Sequence, residues 1–320
     1  MTLKELRYLV ALADQGRFVR AAAACHVGQP TLSTQLKKLE DYLGVTLFER
    51  NKHHLLPTSI GEEIIERARK ALSVVDQIRE LARQGHDPMN GSLRLGVIPT
   101  LGPYFVPGLL PTIRESCPRL RLFLREDLTA NLLEQLRQGR IDALLLALPI
   151  QGENIEVMPL FREPFTVALP SGHALARKNE IGENELAGQL VLLLEEGHCL
   201  RDQALAICGS GAWSQREELK GTSLEMLRQM VAAGVGCTLL PALAAAPGAG
   251  SVGDRQVQIR PFASPAPART IGIAWRRRYP LYGTVKRLSE LILSHLPPSV
   301  EAISDSTKSP SRSSKTAQAA

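Results

Sequence analysis

Between Glu196 and Gly209 the chain reads EGHCLRDQALAICG, which sets two thiols nine positions apart among an imidazole, a guanidinium and carboxylates. A thiol reacts as its thiolate, and helix N–H groups or a nearby cation favour that form. Leu200, Ala204, Ile207 and Cys208 share a helical face, so Cys199 falls at the helix start, beside His198 and Arg201. Glu195, Glu196 and Asp202 work against the thiolate. Cys208, on the apolar face, reads as a core residue. The chemistry open to this segment is thiol oxidation to a sulfenic acid and onward to a disulfide. Two merely buried cysteines are the competing reading. Cys199, His198 and Cys208 lack the short repeated spacing of a structural zinc site, and neither metal nor cofactor is expected.

Two threonines stand where small ligands commonly bind α/β proteins, at the junction of a strand C-terminus and a helix N-terminus. Thr100 follows LRLGVIP, and Thr129 opens TANLLEQLRQG after LFLRED. Each can instead cap its helix. Five cysteines are too few and too scattered for a disulfide scaffold, and their odd number leaves at least one thiol unpaired. Of the rest, Cys25 reads as packed near the N-terminus and Cys237 lies in an apolar, Gly-rich stretch; Cys117 has no assigned role.

The first sixty residues carry a second chemistry. An apolar stripe through Leu3, Leu6, Leu9, Val10 and Ala13 predicts one helix, and the Ala-rich stretch from Arg17 to His26 predicts another. After Val27-Gly28-Gln29, Pro30 suits the first turn of a third helix, with Leu32, Leu36, Leu39 and Leu43 on its inner face and Gly44 to end it. This is the pattern of a helix-turn-helix. Gln29, Thr31 and Ser33 can reach base edges or phosphates of double-stranded DNA, and Lys37 a phosphate. Arg50 and Lys52, in a polar hairpin tip before Leu55-Leu56-Pro57, suit further phosphate contacts as a wing. An ordinary helical bundle with a solvated polar face is the bland alternative.

These segments need scaffolds, and the chain divides accordingly. Residues 1–58 read as the DNA-binding unit, 59–87 as a linker helix and 88–91 as a hinge. Ser59 and Glu62 have capping-box spacing, with Thr58 as the other candidate cap. Ile60, Ile64, Ala68, Ala71, Val75, Ile78 and Ala82 form a stripe along that helix, ~35 Å long, which asks for a partner such as its copy in another subunit. From Ser92, short apolar runs alternate with helical stretches, predicting an α/β domain with a largely parallel sheet. A two-lobed reading assigns 92–164 and 268–298 to one lobe and 165–267 to the other. Residues 299–320, rich in Ser, Thr and Lys, read as a disordered tail.

Net charge is +6, but it is unevenly spread: residues 1–90 carry +2, 91–254 carry −4 and 255–320 carry +8. A polyanion surface must therefore be built locally. The N-terminus lacks a signal-peptide pattern, and no stretch of 18 apolar residues is free of charge, so a cytoplasmic protein bound to chromosomal DNA is expected.

The segment GRFVRAAAACHVGQPTLSTQLKKLEDYLGVTLFER, followed by TSIGE, resembles the LysR-type transcription regulators. That resemblance implies a winged helix-turn-helix, a dimerising linker helix, a two-lobed effector domain like the periplasmic solute-binding proteins, and a homotetramer acting with RNA polymerase. EEGHCLRDQALAIC and TSLEMLRQMVAAGVGCTLLPALA resemble the hydrogen-peroxide-sensing members of that family. This second resemblance implies that Cys199 is the peroxide-reactive thiol and Cys208 its disulfide partner. It implies Thr100, Thr129, His198 and Asp202 around the peroxide, and glutaredoxin or a similar thiol system as the reductant. If 199–208 is helical, the two Cα atoms stand ~13 Å apart, whereas a disulfide needs less than ~7 Å, so the bond requires refolding. A LysR-type regulator sensing a metabolite and a thiol peroxidase remain the alternatives at this point.

Overall fold

The N-terminal helices begin and end where their sequences dictate. Thr2 caps helix α1 (Leu3–Gln15) in a reciprocal capping box with Glu5, and Gly16, in the left-handed region, closes it. Helix α2 is Phe18–Ala24, shorter than the Arg17–His26 expected, because His26 has a positive φ of 54°. Helix α3 (Gln29–Leu43) carries Pro in its first turn and ends at Gly44. Leu32, Leu36 and Leu39 are buried against Leu6, Leu9 and Leu12, while Leu3 is largely exposed. Strands β1 (Phe48–Arg50) and β2 (Leu55–Pro57) pair antiparallel as the wing.

The computed structural model describes residues 1–50, 55–84, 89–208, 220–246 and 256–303. The wing tip with Lys52, the 209–219 stretch and residues 304–320 lie outside the described residues, as does the side chain of Arg50.

Helix α4 (Ser59–Gln84) follows. Its cap is Thr58, whose hydroxyl accepts from Gly61 N at 3.0 Å and donates to Thr46 O at 2.8 Å. Ile65 and Ala68 bury into the N-terminal core, whereas Ile60, Val74 and Ile78 are exposed. At the expected hinge, Met89 is buried with Cys117 and Leu291, and Gly91 already belongs to the next strand.

Beyond it lie β3 (Gly91–Val97), α5 (Gly102–Ser116), β4 (Leu120–Glu126), α6 (Thr129–Arg137), β5 (Ala143–Leu148) and the long β6 (Ile155–Pro170). Next come β7 (Leu193–Leu194), α7 (Cys199–Cys208), β8 (Lys220–Gly221), α8 (Leu224–Ala232), β9 (Thr238–Pro241), α9 (Ala242–Ala245) and β10 (Val257–Pro261). β11 (Ala268–Arg276), α10 (Tyr282–Ser294) and β12 (Glu301–Ala302) complete the order. The sheet runs β10-β6-β11-β5-β3-β4, with β9 and β12 also pairing β6.

The largely parallel sheet expected from the sequence is corrected to a mixed one. β3 runs parallel to β4 and β5, but β11 runs antiparallel to both β5 and β6, and β9 and β10 run antiparallel to β6. The crossing strands impose this. Up to Pro164, β6 pairs with β11 over one apolar core; from Phe165 it pairs with β9 and β10 over a second. The tail expectation also needs correction at its start. Glu301–Ala302 pairs with Phe161–Arg162 of β6, and Val300 is buried, because a free stretch of β6 offers hydrogen bonds there.

Candidate functional site

Cys199 is the first residue of α7, which Gly197 enters with a left-handed φ of 94°. The helix joins the two cores. Leu200, Ala204 and Cys208 bury into the second core, but Cys199 packs against the first. Its sulfur is hydrogen-bonded by the side chain of Thr129 and faced by the guanidinium of Arg269. Burial raises the thiol above its usual pKa, while Arg269, Thr129 and local backbone N–H groups pull it back down.

The cation at the thiol is therefore not the one expected from the sequence. Arg201 pairs with Glu196 at 3.3 Å. Arg269, on β11, is buried and ion-paired to the fully buried Glu163 of β6 at 2.8 Å. Its other nitrogens donate to Thr100 Oγ1 at 2.8 Å and Thr100 O at 3.0 Å. The second carboxylate oxygen of Glu163 accepts from Leu243 N of α9 at 3.0 Å. Sequence reasoning missed Arg269 and Glu163 because 106 positions separate them; the only local signal is a charge inside each apolar strand, ARTIGIAW and LFREPF.

Neither threonine caps its helix. Leu101 and Leu128 occupy the N-cap positions of α5 and α6 without a side-chain cap bond. Thr100 is buried on Arg269 and Thr129 is half-buried on Cys199, so the structure brings Thr100, Thr129 and Cys199 around one guanidinium. Asp127 fixes the start of α6, accepting from Leu128 N at 2.9 Å, Asn131 at 2.8 Å and Gln135 at 3.0 Å.

His198 lines a neighbouring cleft of about 560 Å³ with Tyr104, Glu126, Asp127, Glu195 and Glu225. Burial lowers its pKa below the usual imidazole value, and its Nδ1 is buried without a hydrogen-bond partner. It is neutral at pH 7 and supplies no positive charge to the thiol. Asp202 is exposed on the first turn of α7. Cys208 is buried at the far end of α7, and desolvation pushes its thiol up to about 11. Cys237 is buried in the same core with its thiol pushed up to about 12, Cys117 is buried elsewhere, and Cys25 is half-buried in the N-terminal unit.

On the N-terminal unit, Gln29, Thr31 and Lys37 are exposed along α3 and Ser33 is half-buried beside them. Lys37 projects away from the buried Leu32, Leu36 and Leu39, while Thr31 and Ser33 flank that stripe on its two sides. Arg50 ends β1 next to this surface in sequence, but its side chain and Lys52 fall outside the described residues.

Residues 3–62 match the bacterial regulatory helix-turn-helix family of lysR type, and residues 86–297 match the LysR substrate binding domain. The chain is 43% identical over 296 residues to the DNA-binding transcriptional dual regulator OxyR of Escherichia coli, covering 92% of this chain and 96% of that protein. Among solved structures, a cysteine-to-aspartate variant of full-length Pseudomonas aeruginosa OxyR aligns with a TM-score of 0.75 at 41% identity, covering 91% of this chain and 94% of that one. A hydrogen-peroxide-bound cysteine-to-serine variant of Corynebacterium glutamicum OxyR aligns with a TM-score of 0.63 at 31% identity over 92% of each chain. With both family models matched in order and the likeness extending over nine-tenths of the length, the chain belongs to the LysR family of bacterial helix-turn-helix regulators, and within it to the OxyR type.

Proposed function

We propose that the chain is a DNA-binding transcription regulator switched by hydrogen peroxide through Cys199 and Cys208, acting in the cytoplasm on chromosomal DNA. The observation that carries this is one thiol, hydrogen-bonded by Thr129 and faced by Arg269, with a second thiol at the far end of the same ten-residue helix. The likeness to a peroxide-bound OxyR supports it. The Cys199 thiolate attacks the proximal peroxide oxygen, the O–O bond breaks, and the departing hydroxide takes a proton to leave as water. Arg269 and the hydroxyls of Thr100 and Thr129 stabilise the charge that develops, and neutral His198 relays the proton. Asp202, exposed on the first turn of α7, completes the polar groups around the peroxide pocket.

Cys199 is left as a sulfenic acid. Cys208 attacks that sulfur, the S–S bond forms, and the sulfenic oxygen leaves as water. A dithiol reductant of the glutaredoxin kind returns two electrons and two protons to reset the pair. The chemistry is stoichiometric with the protein, so the chain is a sensor and not an enzyme. Gln29, Thr31 and Ser33 contact base edges or phosphates, and Lys37, Arg50 and Lys52 contact phosphates. The working unit is a homotetramer whose heads change spacing on promoter DNA and thereby its engagement with RNA polymerase.

Time-resolved intact-mass and peptide analysis after one equivalent of peroxide tests the order. Cys199→Ser should lose disulfide formation; Cys208→Ser should stop at the sulfenic acid. Oxidation of Cys208 that still regulates DNA binding in Cys199→Ser would overturn the assignment.

A further inference from the structure

Where β11 ends, Arg276, Arg277 and Arg278 run out of the sheet in succession. Together with Arg137 at the end of α6 and Lys70 of α4, they line a cavity of about 790 Å³ in which Glu153 is the one carboxylate among the described lining residues. Five cations against one lining carboxylate leave the space positively biased and favour an entering anion.

Arg276 is held in place by the backbone. Arg276 Nη1 donates to Leu136 O and Ile141 O, each at 2.6 Å. Its Nη2 is buried 3.6 Å from Asp142, so this guanidinium is fixed at the base of the cavity by protein groups. Asn154, in the left-handed region at φ 60°, accepts from Arg277 N at 2.9 Å and fixes the loop against the arginine run. The partners of the remaining cations, Glu66 for Lys70, Glu134 for Arg137 and Glu156 for Arg277, all stand outside the lining. Such half-exposed pairs are weak and screened by salt, and do not compete with a ligand making several contacts at once.

Lys70 makes the pocket a junction. One turn further along α4, Ser73 Oγ donates to Gly139 O at 3.3 Å, and a Cβ at Gly139 would collide with the Ser73 side chain. The linker helix therefore packs its Ser73 side chain on the backbone of the lobe directly beside the basic cavity. Nothing in the thiol chemistry uses these residues.

We propose that this pocket binds a small phosphate-rich anion, of the size and charge of a diphosphate group, which bridges the linker helix to the effector lobe. Guanidinium forks match phosphate oxygens two at a time, and the cavity exceeds the volume of a single inorganic ion. An occupied pocket ties the DNA-reading head to the lobe through Lys70, an input separate from oxidation.

Inorganic pyrophosphate is the probe, titrated calorimetrically into the reduced full-length protein at low salt. The exposed Arg277→Gln/Arg278→Gln double variant should weaken binding by about tenfold, as loss of charge-assisted bidentate contacts predicts. Lys37→Ala/Lys38→Ala in the head should leave it unchanged. Hydrogen exchange should slow in residues 66–74 and 134–141 of the wild-type protein on adding pyrophosphate, and not in the double variant. Absence of binding, equal affinity in the double variant, or protection confined to residues 29–38 would each overturn the proposal, the last by assigning the phosphate to the DNA-reading face.

Discussion

At the scale of single residues, the reactivity of Cys199 is a contest between burial and two polar neighbours. Burial raises the thiol pKa; Arg269 and the Thr129 hydroxyl lower it. Because the net shift is upward from the usual thiol value, the thiolate is the minor form at pH 7, and the rate of sulfenic-acid formation should climb steadily as pH rises from 7 to 9. Thr129→Val removes a hydrogen bond to the charged form, a loss of about 1.5–3 kcal/mol, so the thiol pKa should rise and the rate at pH 7 should fall about tenfold or more. Stopped-flow oxidation across pH reads both, and a Thr129→Val profile superimposable on the native one would remove the hydroxyl from the mechanism. Arg269→Gln should do more damage of a different kind. It leaves Glu163 charged, fully buried and unpaired, which costs about 3–5 kcal/mol and should lower the melting temperature as well as the oxidation rate. The places of Cys199, Thr100 and Thr129 next to helix starts were legible from residue type and position. The guanidinium that organises them was not, because its partners Glu163 and Thr100 come from distant strands and no local pattern links them.

At the scale of elements, α7 is the part that must change. Its two thiols sit in different cores, Cys199 against the first and Cys208 within the second, with Leu200 and Ala204 buried between them. Nine helical steps separate their Cα atoms by roughly 13 Å, beyond the ~7 Å that a disulfide spans, so closure requires α7 to unwind. Cys208, held up to about 11, is a neutral buried thiol that attacks only once exposed. Leu200→Ala should loosen the helix anchor by about 2–5 kcal/mol and speed closure of the disulfide after sulfenic acid has formed. Quenched mass analysis of the second step decides it; an unchanged closure rate would mean that helix release is not limiting. Helix periodicity in the sequence was enough to find α7, α1, α3 and α4. It could not show which strands pair with β6 over its two cores, since strand direction depends on partners such as Ala268 opposite Pro164 and Val257 opposite Pro170. Nor could composition show that Val300 and Glu301–Ala302 return to β6, because a few residues at the edge of a polar tail carry almost no pattern.

At the scale of the whole molecule, the proposed oxidation has to be transmitted from the effector domain to the DNA-reading head. Helix α4 buries Ile65 and Ala68 in its own head but leaves Ile60, Val74 and Ile78 exposed, large apolar side chains that water does not favour on a long helix. A second α4 can cover them, and two heads joined in this way address a two-fold symmetric site. Ile78→Glu places a charge on that face and should shift the reduced protein toward smaller species in light scattering, with a parallel loss of DNA affinity. A variant that stays as large as the native protein would place the subunit contact elsewhere. The DNA face itself can be separated into positioning and reading. Lys37 is exposed on α3 and is proposed to neutralise a phosphate, so Lys37→Ala should weaken binding to all sequences alike and reduce the salt slope by about one for each phosphate it no longer neutralises. Thr31, exposed near the N-terminal end of α3, lies where a recognition helix meets base edges, so Thr31→Ala should change which sites are preferred while leaving the salt slope intact. Competition binding against a library of duplexes at several salt concentrations measures both quantities in one experiment. If Lys37→Ala altered sequence preference and Thr31→Ala altered only the salt slope, the orientation of α3 on the duplex would have to be reversed.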